Sequence, residues 1–174
     1  MKLNQIMIAV ALTVGATSFA QAADQGRGKV TFTGSIIEAP CSIHPDSVDQ
    51  TIPLGSISNV VLRDGGESKP RPFEIKLEQC DTSVQKTVQV TFTGDASVAQ
   101  PNLLGITGDA KGASVGITDT ASKPVVLGTA TRAYNLTDGN NTLRFSAFLK
   151  GDGANDAIVA GDFTAVTDFT LAYQ

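Results

Sequence analysis

Hydrophobic and polar residues alternate along several short segments of this chain, and the first such segment lies near the amino terminus. Residues 28–36 read GKVTFTGSI, with glycine and apolar residues on one parity and lysine, threonine and serine on the other. A period of two predicts a β-strand with one face for a core and one for water. At about 3.3 Å per residue, this strand extends roughly 30 Å, which is long for the edge of a small domain.

The same alternation recurs downstream and predicts a succession of strands joined by polar turns. It is cleanest in residues 73–80 and 88–93, with shorter β-like pieces at 114–117 and 124–127. The turn sequence TDGNN at 137–141 predicts a hairpin whose second arm, residues 143–149, has Phe148 facing away from its apolar set. No long window shows helical spacing of apolar residues, so the chain is predicted to be all-β.

One pentapeptide, VTFTG, occurs twice, at residues 30–34 and 90–94. The sequences around the two copies do not match. We interpret them as two strands that share residues of high β-propensity, and not as a repeat architecture.

The last segment, residues 163–174, reads FTAVTDFTLAYQ and is also well patterned. Its large apolar residues share one parity: Phe163, Phe169, Leu171 and Tyr173. Because no sequence follows this strand, we expect that any further neighbour in its sheet comes from elsewhere.

The amino terminus has the features of a secretory signal peptide. Lys2 precedes an apolar run from Ile6 to Val14, and small residues precede an expected cleavage after Ala22. The apolar run is too short to span a bilayer, and no later segment reaches the roughly 20 apolar residues that a spanning helix needs. The 152 residues that remain after residues 1–22 fit one domain. With 12 basic and 17 acidic residues, their net charge of −5 argues against nucleic acid or anionic membrane as the main partner.

The two cysteines, Cys41 and Cys80, both lie in the exported part. An even pair in an oxidising compartment most simply forms one disulfide. Closing a loop of about 40 residues stabilises the fold by about 4 kcal/mol in the chain-entropy model. Metal ligation is the weaker interpretation, because His44 is the single histidine and no CxxC is present.

Candidate chemistry is sparse, and we predict no catalytic, cofactor or metal site. With one histidine, no GxSxG and both cysteines in a bridge, nucleophilic catalysis lacks its residues. The acidic stretch at 152–156 has neither the spaced ligands nor the terminal glutamate of a calcium loop. It is interpreted as a solvated loop.

Taken in order, these features resemble the subunits of chaperone–usher fimbriae. The resemblance rests on the signal peptide, the alternating arm that ends at Ala39-Pro40-Cys41, the FEIKL strand leading to Cys80, and a terminal strand with tyrosine next to last. GKVTFTGSI looks most like the major pilins of P-type and mannose-resistant Proteus-like fimbriae.

The resemblance implies an incomplete immunoglobulin-like sandwich that lacks its final strand and carries an amino-terminal donor-strand extension. The expected division is a signal peptide at 1–22, the extension at 23–35 and the pilin domain at 36–174. By position, the donor face corresponds to Gly28, Val30, Phe32 and Gly34. The acceptor groove and chaperone contact correspond to Phe163, Phe169, Leu171 and Tyr173.

The resemblance further implies partners and a location. A periplasmic chaperone fills the groove temporarily, and at an outer-membrane usher the arm of another pilin subunit replaces it. Identical or related subunits then form a head-to-tail fibre on the bacterial surface, without direct membrane insertion.

Alternatives remain open at this stage. On pattern alone, an alternating arm is more often the first strand of its own domain, and the resemblance favours the donor role. Tyr173 fits a core-edge role as well as a chaperone contact. A minor adaptor or tip-associated pilin is the alternative to a shaft subunit, and the 152 residues leave no room for a separate receptor-binding domain.

Overall fold

The structure is a computed structural model that describes residues 27–153 and 158–174. The predicted signal peptide and most of the 152–156 stretch lie outside the described residues. The chain divides into two units, residues 1–36 and residues 37–174. In the first unit, residues 27–36 form no strand or helix, and their side chains are exposed.

The second unit is built almost entirely from strands. In chain order they are β1 (Ser42–Ile43), β2 (Arg71–Cys80), β3 (Thr87–Gly94), β4 (Leu104–Gly105), β5 (Thr107–Gly108), β6 (Ala113–Asp119), β7 (Pro124–Val125), β8 (Tyr134–Asn135), β9 (Gly139–Gly151), β10 (Phe163–Thr164) and β11 (Thr167–Tyr173). Two single-turn helices, α1 (Pro45–Val48) and α2 (Asn59–Leu62), and a 3₁₀ turn (Arg63–Gly65) lie between β1 and β2. The prediction of an all-β chain is confirmed.

The strands form two main sheets with antiparallel pairing. One has the order β1-β2-β9-β6-β4, with β7 also paired to β6, and the other has the order β11-β3-β8. A separate two-stranded ladder joins β10 to β5. The predicted strands at 73–80 and 88–93 become β2 and β3. The hairpin predicted around 137–141 is not formed: its turn joins β8, which pairs with β3 in one sheet, to the long β9, which pairs with β2 and β6 in the other, so the two arms separate between the layers.

An aromatic cluster joins the two main sheets. Phe92 of β3 stands edge-on to Phe145 of β9, with ring centroids 5.0 Å apart, and also to Phe73 of β2 at 6.2 Å. Tyr134 of β8 contacts the same Phe145 at 5.9 Å. These contacts stack the β8 and β3 side of one sheet over the β9 and β2 side of the other. The alternating residues of β2, β3 and β9 supply the side chains of the core between the sheets. Phe148 has the opposite parity on β9 and packs over Gly116 on the outer face.

Two expectations differ from the structure in extent. The pilin domain is expected from residue 36 onward, but its first strand pairing begins only at Ser42, where two residues pair with β2. The terminal segment 163–174 is divided, because Phe163 and Thr164 pair with β5 and β11 begins at Thr167. Residues 51–57 form no strand, although Leu54 and Ile57 pack against the core.

The predicted disulfide is confirmed. Cys41 and Cys80 are bonded, and both are buried in the core, with 3% and 5% of their surface exposed. Next to them, the backbone N–H of Asp81 donates to the carbonyl of Pro40 at 2.9 Å. The bridge therefore anchors the chain directly before β1 to the end of β2.

A buried carboxylate links the two sheets at another point. Asp119, at the end of β6, has only 5% of its side chain exposed and accepts hydrogen bonds from the backbone N–H groups of Ala121 and Lys123. Arg132, just before β8, donates its Nε–H to Asp119 Oδ2 at 2.9 Å, and its guanidinium lies over the Tyr134 ring. Burial alone raises the pKa of Asp119, but these hydrogen bonds outweigh it and hold the pKa below its usual value.

We predict that Asp119→Asn lowers the free energy of unfolding at pH 7 by about 1–3 kcal/mol, because a charge-assisted hydrogen bond to Arg132 is lost. The folded-state pKa lies below the unfolded value of about 3.9, so the carboxylate stabilises the fold above that pH. This contribution disappears as the pH falls through the folded-state pKa. Urea unfolding at pH 7 and at steps down to pH 2 measures the difference, which should shrink in acid.

Asp109→Asn, at an exposed aspartate, is the matched control and should leave stability nearly unchanged at every pH. A difference between wild type and Asp119→Asn that stays constant down to pH 2 would contradict the assigned role of the carboxylate.

Candidate functional site

The terminal strand β11 forms one edge of its sheet. It pairs antiparallel with β3 along its whole length, with Phe169 opposite Phe92, Leu171 opposite Val90 and Thr167 opposite Gly94. The other side of β3 is also paired, through β8, a bridge from Thr91 to Ala130, and a hydrogen bond from Thr131 to Val90. Within the described residues no strand pairs with the second side of β11.

Burial differs sharply across the β11–β3 ladder. On β3 the inward residues Val88, Val90 and Phe92 have at most 1% of their surface exposed. Their cross-strand partners on β11 pack against the same core but remain half-buried: Phe169, Leu171 and Tyr173. Both sets of side chains are apolar or aromatic and point to the same face of the sheet. The difference arises because β3 has a strand on both sides and β11 has one on a single side.

The opposite sheet gives this edge little cover. Tyr134 of β8 packs over β9, and Phe92 of β3 packs over both β9 and β2. The strand order β8-β3-β11 in one sheet therefore runs in the same direction as β9-β2-β1 in the facing sheet, which sets β11 nearest to β1. There β1 contributes only Ser42 and Ile43 to the ladder, and Ile43 is itself half-buried. The half-buried side chains of β11 therefore form an apolar strip along this edge of the sheet.

Tyr173 contributes an uncharged ring to this strip. Partial burial raises the pKa of its phenol above the usual value, so the side chain stays neutral near pH 7. Beside it, the backbone carbonyl of Gln174 accepts hydrogen bonds from the N–H groups of Lys86 and Thr87. The end of β11 is thus held firmly to the start of β3.

The structure brings three of the four predicted acceptor residues together on β11, and places the fourth differently. Phe163 lies in β10, paired to β5, and reaches the core from a separate ladder. Where the chain enters β11, space is tight: a Cβ at Gly94 would lie 2.6 Å from the carbonyl oxygen of Val166 and 2.7 Å from Leu104 Cδ2. Gly94 therefore allows β11 to start at Thr167, a role that alternation alone does not reveal.

The predicted donor residues lie in the first unit, on an exposed segment without regular secondary structure. Val30, Phe32 and Ile36 have 76%, 91% and 104% of their surface exposed, and a Cβ at Gly28 or Gly34 would meet no atom within 4 Å. Alternating apolar residues at such exposure are unusual for a folded protein and typical of a binding segment. Ile36 shares both the parity and the exposure of this segment, although the division implied by the family resemblance places it in the pilin domain.

In the parts of the chain that the structure describes, no group of three or more histidine, cysteine, aspartate or glutamate side chains is arranged to hold a metal ion. None of the helices among those residues has the length and apolar character needed to cross a membrane.

The fold and its unpaired edge define an incomplete β-sandwich of the kind that fimbrial subunits have. A model of the fimbrial protein family matches residues 30–174, and the chain belongs to that family. It is 66% identical over 174 residues to Fimbria A protein of Serratia marcescens and 52% identical over 176 residues to the major MR/P fimbria protein of Proteus mirabilis. Both alignments cover 100% of this chain and of the relative.

Solved structures agree. A subunit from the structure of a chaperone-usher pilus superimposes with a TM-score of 0.77 at 36% identity, covering 86% of this chain and 97% of that one. The P pilus rod subunit PapA gives 0.70 at 34% identity, covering 78% and 100%. The expected fold, an incomplete immunoglobulin-like sandwich of the pilin type, is thereby confirmed.

We predict that Gly94→Ala destabilises the protein by about 1–3 kcal/mol, because the new methyl group overlaps the backbone at the start of β11. Gly105→Ala in β4 is the control, since its Cβ would meet neighbours only at 3.5 Å or more. Thermal unfolding of both variants measures the effect. Equal melting temperatures for the two variants would contradict the close approach at Gly94.

Proposed function

We propose that this protein is a structural subunit of a bacterial surface fimbrium and that it polymerises by strand exchange between copies. The exposed arm around residues 28–34 of one copy adds to the free edge of β11 in another. The observation that carries the proposal is the half-burial of Phe169, Leu171 and Tyr173 beside the fully buried inner face of β3. One added strand removes this asymmetry.

The energetics favour such an addition. Burying Val30 and Phe32 contributes about 1.5–3 kcal/mol each. Each new ladder hydrogen bond adds roughly 0.5–1.5 kcal/mol net. Strand addition to an exposed sheet edge is an established mode of peptide recognition, in which backbone bonds supply affinity and alternate side chains supply specificity.

Donor and acceptor are different surfaces of the same chain, so the contact is heterologous. Such a contact leaves one donor and one acceptor unused at the two ends of every assembly, and it propagates instead of closing. A head-to-tail fibre follows from this arrangement.

Before assembly, the apolar strip beside β11 needs cover, because an exposed apolar sheet edge promotes aggregation. We assign that role to a periplasmic chaperone, and the exchange of its strand for a subunit's arm to an outer-membrane usher. The solved relative at 36% identity is a subunit of a chaperone-usher pilus, in line with this assignment.

The same proposal divides the chain by role. Residues 1–22 direct export and are removed, residues 23–35 form the donor extension, and residues 36–174 form the pilin domain. Its contribution is structural and not enzymatic, and its place is the extracellular fibre.

A minor adaptor is the alternative, and the fibre itself distinguishes the two roles. The relative from Proteus mirabilis, 52% identical over its whole length, is named a major fimbria protein, which favours the shaft. We expect this chain to be the dominant band when isolated fibres are dissociated and separated on a denaturing gel. A faint band beside a more abundant pilin would assign it to the adaptor role.

We further predict that Phe32→Asp abolishes addition of the variant behind another subunit, since it places a charge in an apolar strip. Thr31→Asp, on the other face of the same arm, is the matched control and should polymerise at a rate close to wild type. Chaperone-bound subunits mixed with usher and followed by electron microscopy and gel analysis provide the measurement.

The Phe32→Asp variant has an intact β11, so it should still accept one wild-type arm. Wild-type rates of polymerisation for Phe32→Asp would show that Phe32 is not on the donor face.

A further inference from the structure

The sandwich has a second strand edge, on the side of β2 where β1 ends. Strand β1 pairs with β2 only through Ser42 and Ile43, so the stretch of β2 from Arg71 to Lys76 has no strand on that side within the described residues. An uncovered sheet edge is a template for pairing with another chain. A subunit that accepts a strand at β11 therefore benefits if this other edge is closed.

The hydrogen-bond pattern shows which groups of β2 face this edge. In an antiparallel ladder, successive residues direct their N–H and C=O groups alternately to the two sides. The N–H of His44 donates to the carbonyl of Lys76 at 2.9 Å, which places the backbone groups of Lys76 on the edge. Glu74 and Pro72 share this parity and also direct their groups toward the edge. The residues between them direct theirs toward β9.

Side chains from α1 and the turn after it take the place of a strand here. Ser47 Oγ accepts a hydrogen bond from the N–H of Lys76 at 3.0 Å, and Ser47 has only 2% of its surface exposed. Gln50 Nε2 donates to the carbonyl of Glu74 at 2.9 Å. Pro72 has no N–H. With the carbonyl of Lys76 already bonded, no edge-facing residue from Pro72 to Lys76 presents both its N–H and its C=O to an incoming strand.

The edge of β11 is different. Gln174 and Thr87 exchange two backbone hydrogen bonds, so the residues of the other parity, Phe169 and Leu171, direct their N–H and C=O groups away from β3. In the described part of the chain, no strand or side chain takes up these groups. The sandwich thus has one edge with available backbone groups and one edge where side chains and a proline close them off.

Resting on the proposed function, we infer that Ser47, Gln50 and Pro72 determine the specificity of strand addition, because they close the β2 edge and leave β11 as the acceptor. With one acceptor edge, each subunit receives one arm and the fibre stays unbranched. A subunit with an open β2 edge has a second place where a strand can add, and two copies can also pair edge to edge through β2.

Amide hydrogen exchange tests the contact at Lys76. In the mature chain, Ser47→Ala should make the Lys76 amide exchange at least about tenfold faster than in wild type, because the acceptor of that N–H is lost. The Ile75 amide faces β9 and is the internal reference, which should keep its rate. An unchanged rate at Lys76 overturns the closure by Ser47.

Self-association tests the edge as a whole. We expect the double variant Ser47→Ala/Gln50→Met to form dimers and larger complexes by sedimentation when it is bound to its chaperone, whereas wild type stays a one-to-one complex. Gln50→Met keeps the length of the side chain and loses its donor. In its place, Gln50→Lys keeps a donor and should restore wild-type behaviour. Ser56→Ala, at an exposed serine of the following loop, is the matched control.

A proline locates the association on β2. The N–H of Glu74 faces the edge and not β9, so Glu74→Pro removes a donor there without breaking the ladder to β9. Added to the double variant, it should restore the one-to-one complex. Association that persists with this proline, or a double variant that stays one-to-one, overturns the inference. If the buried Ser47 does not tolerate alanine, Gln50→Met alone, at an exposed residue, carries the association test.

Failure of the proposed function has a different signature. In that case wild-type chains do not polymerise, or Phe32→Asp chains polymerise like wild type. The exchange rate at Lys76 and the effect of Glu74→Pro are measured on the subunit before assembly, so the closed edge and the function are tested independently.

Discussion

The free edge of β11 is the constraint on which the rest of this structure depends. A strand at the edge of a sandwich has unpaired backbone groups and inward side chains with a neighbour on one side only. The two strands of one ladder show this difference in burial: Phe169 and Leu171 on β11 are half-buried, whereas Phe92 and Val90 opposite them on β3 are fully buried. The domain is folded but one strand short of closing its own core.

Such an edge is useful only if the surrounding fold holds it open. The aromatic cluster of Phe73, Phe92 and Phe145 fixes the spacing of the two sheets. The Cys41–Cys80 bridge anchors the chain where β1 begins, and Asp119 with Arg132 ties the sheets together on the far side. With the layers held in this way, the half-buried side chains of β11 stay at the open edge of the sheet, where the proposed partner strand would bind.

The arm has the opposite physical character. Its residues are exposed, and in the proposed fibre they gain burial from another subunit. Because each chain would carry both an arm and an edge, the proposed assembly has a direction, and each added subunit supplies a new arm or a new edge. The outer faces carry polar residues, Thr31 and Thr33 on the arm and Asp168 and Thr170 on β11, which suits them to contact with water.

Much of this follows from the sequence, because local alternation reports which residues share a face. It correctly predicted β2, β3, the strand character of residues 143–149, and the parity that joins Phe169, Leu171 and Tyr173. It wrongly paired the two arms around the turn at 137–141, because local alternation does not show that β8 and β9 join different sheets. The pair Cys41 and Cys80 was also predicted, since two cysteines in an exported chain have one simple pairing. The unusual length of the alternating pattern in residues 28–36 also distinguishes this segment from an ordinary edge strand.

Tertiary structure decided what alternation does not encode. It divided the terminal segment between β10 and β11, because Phe163 found its partner in β5, and it reduced β1 to Ser42 and Ile43. It gave Gly94 its role, which depends on the approach of Val166 and Leu104 from distant parts of the chain. Above all it placed one VTFTG beside β11 and left the other outside the domain. Identical pentapeptides have identical local preferences. Only the long-range packing of the sheets therefore distinguishes the copy at 90–94, which is a buried part of β3, from the copy at 30–34, which is exposed.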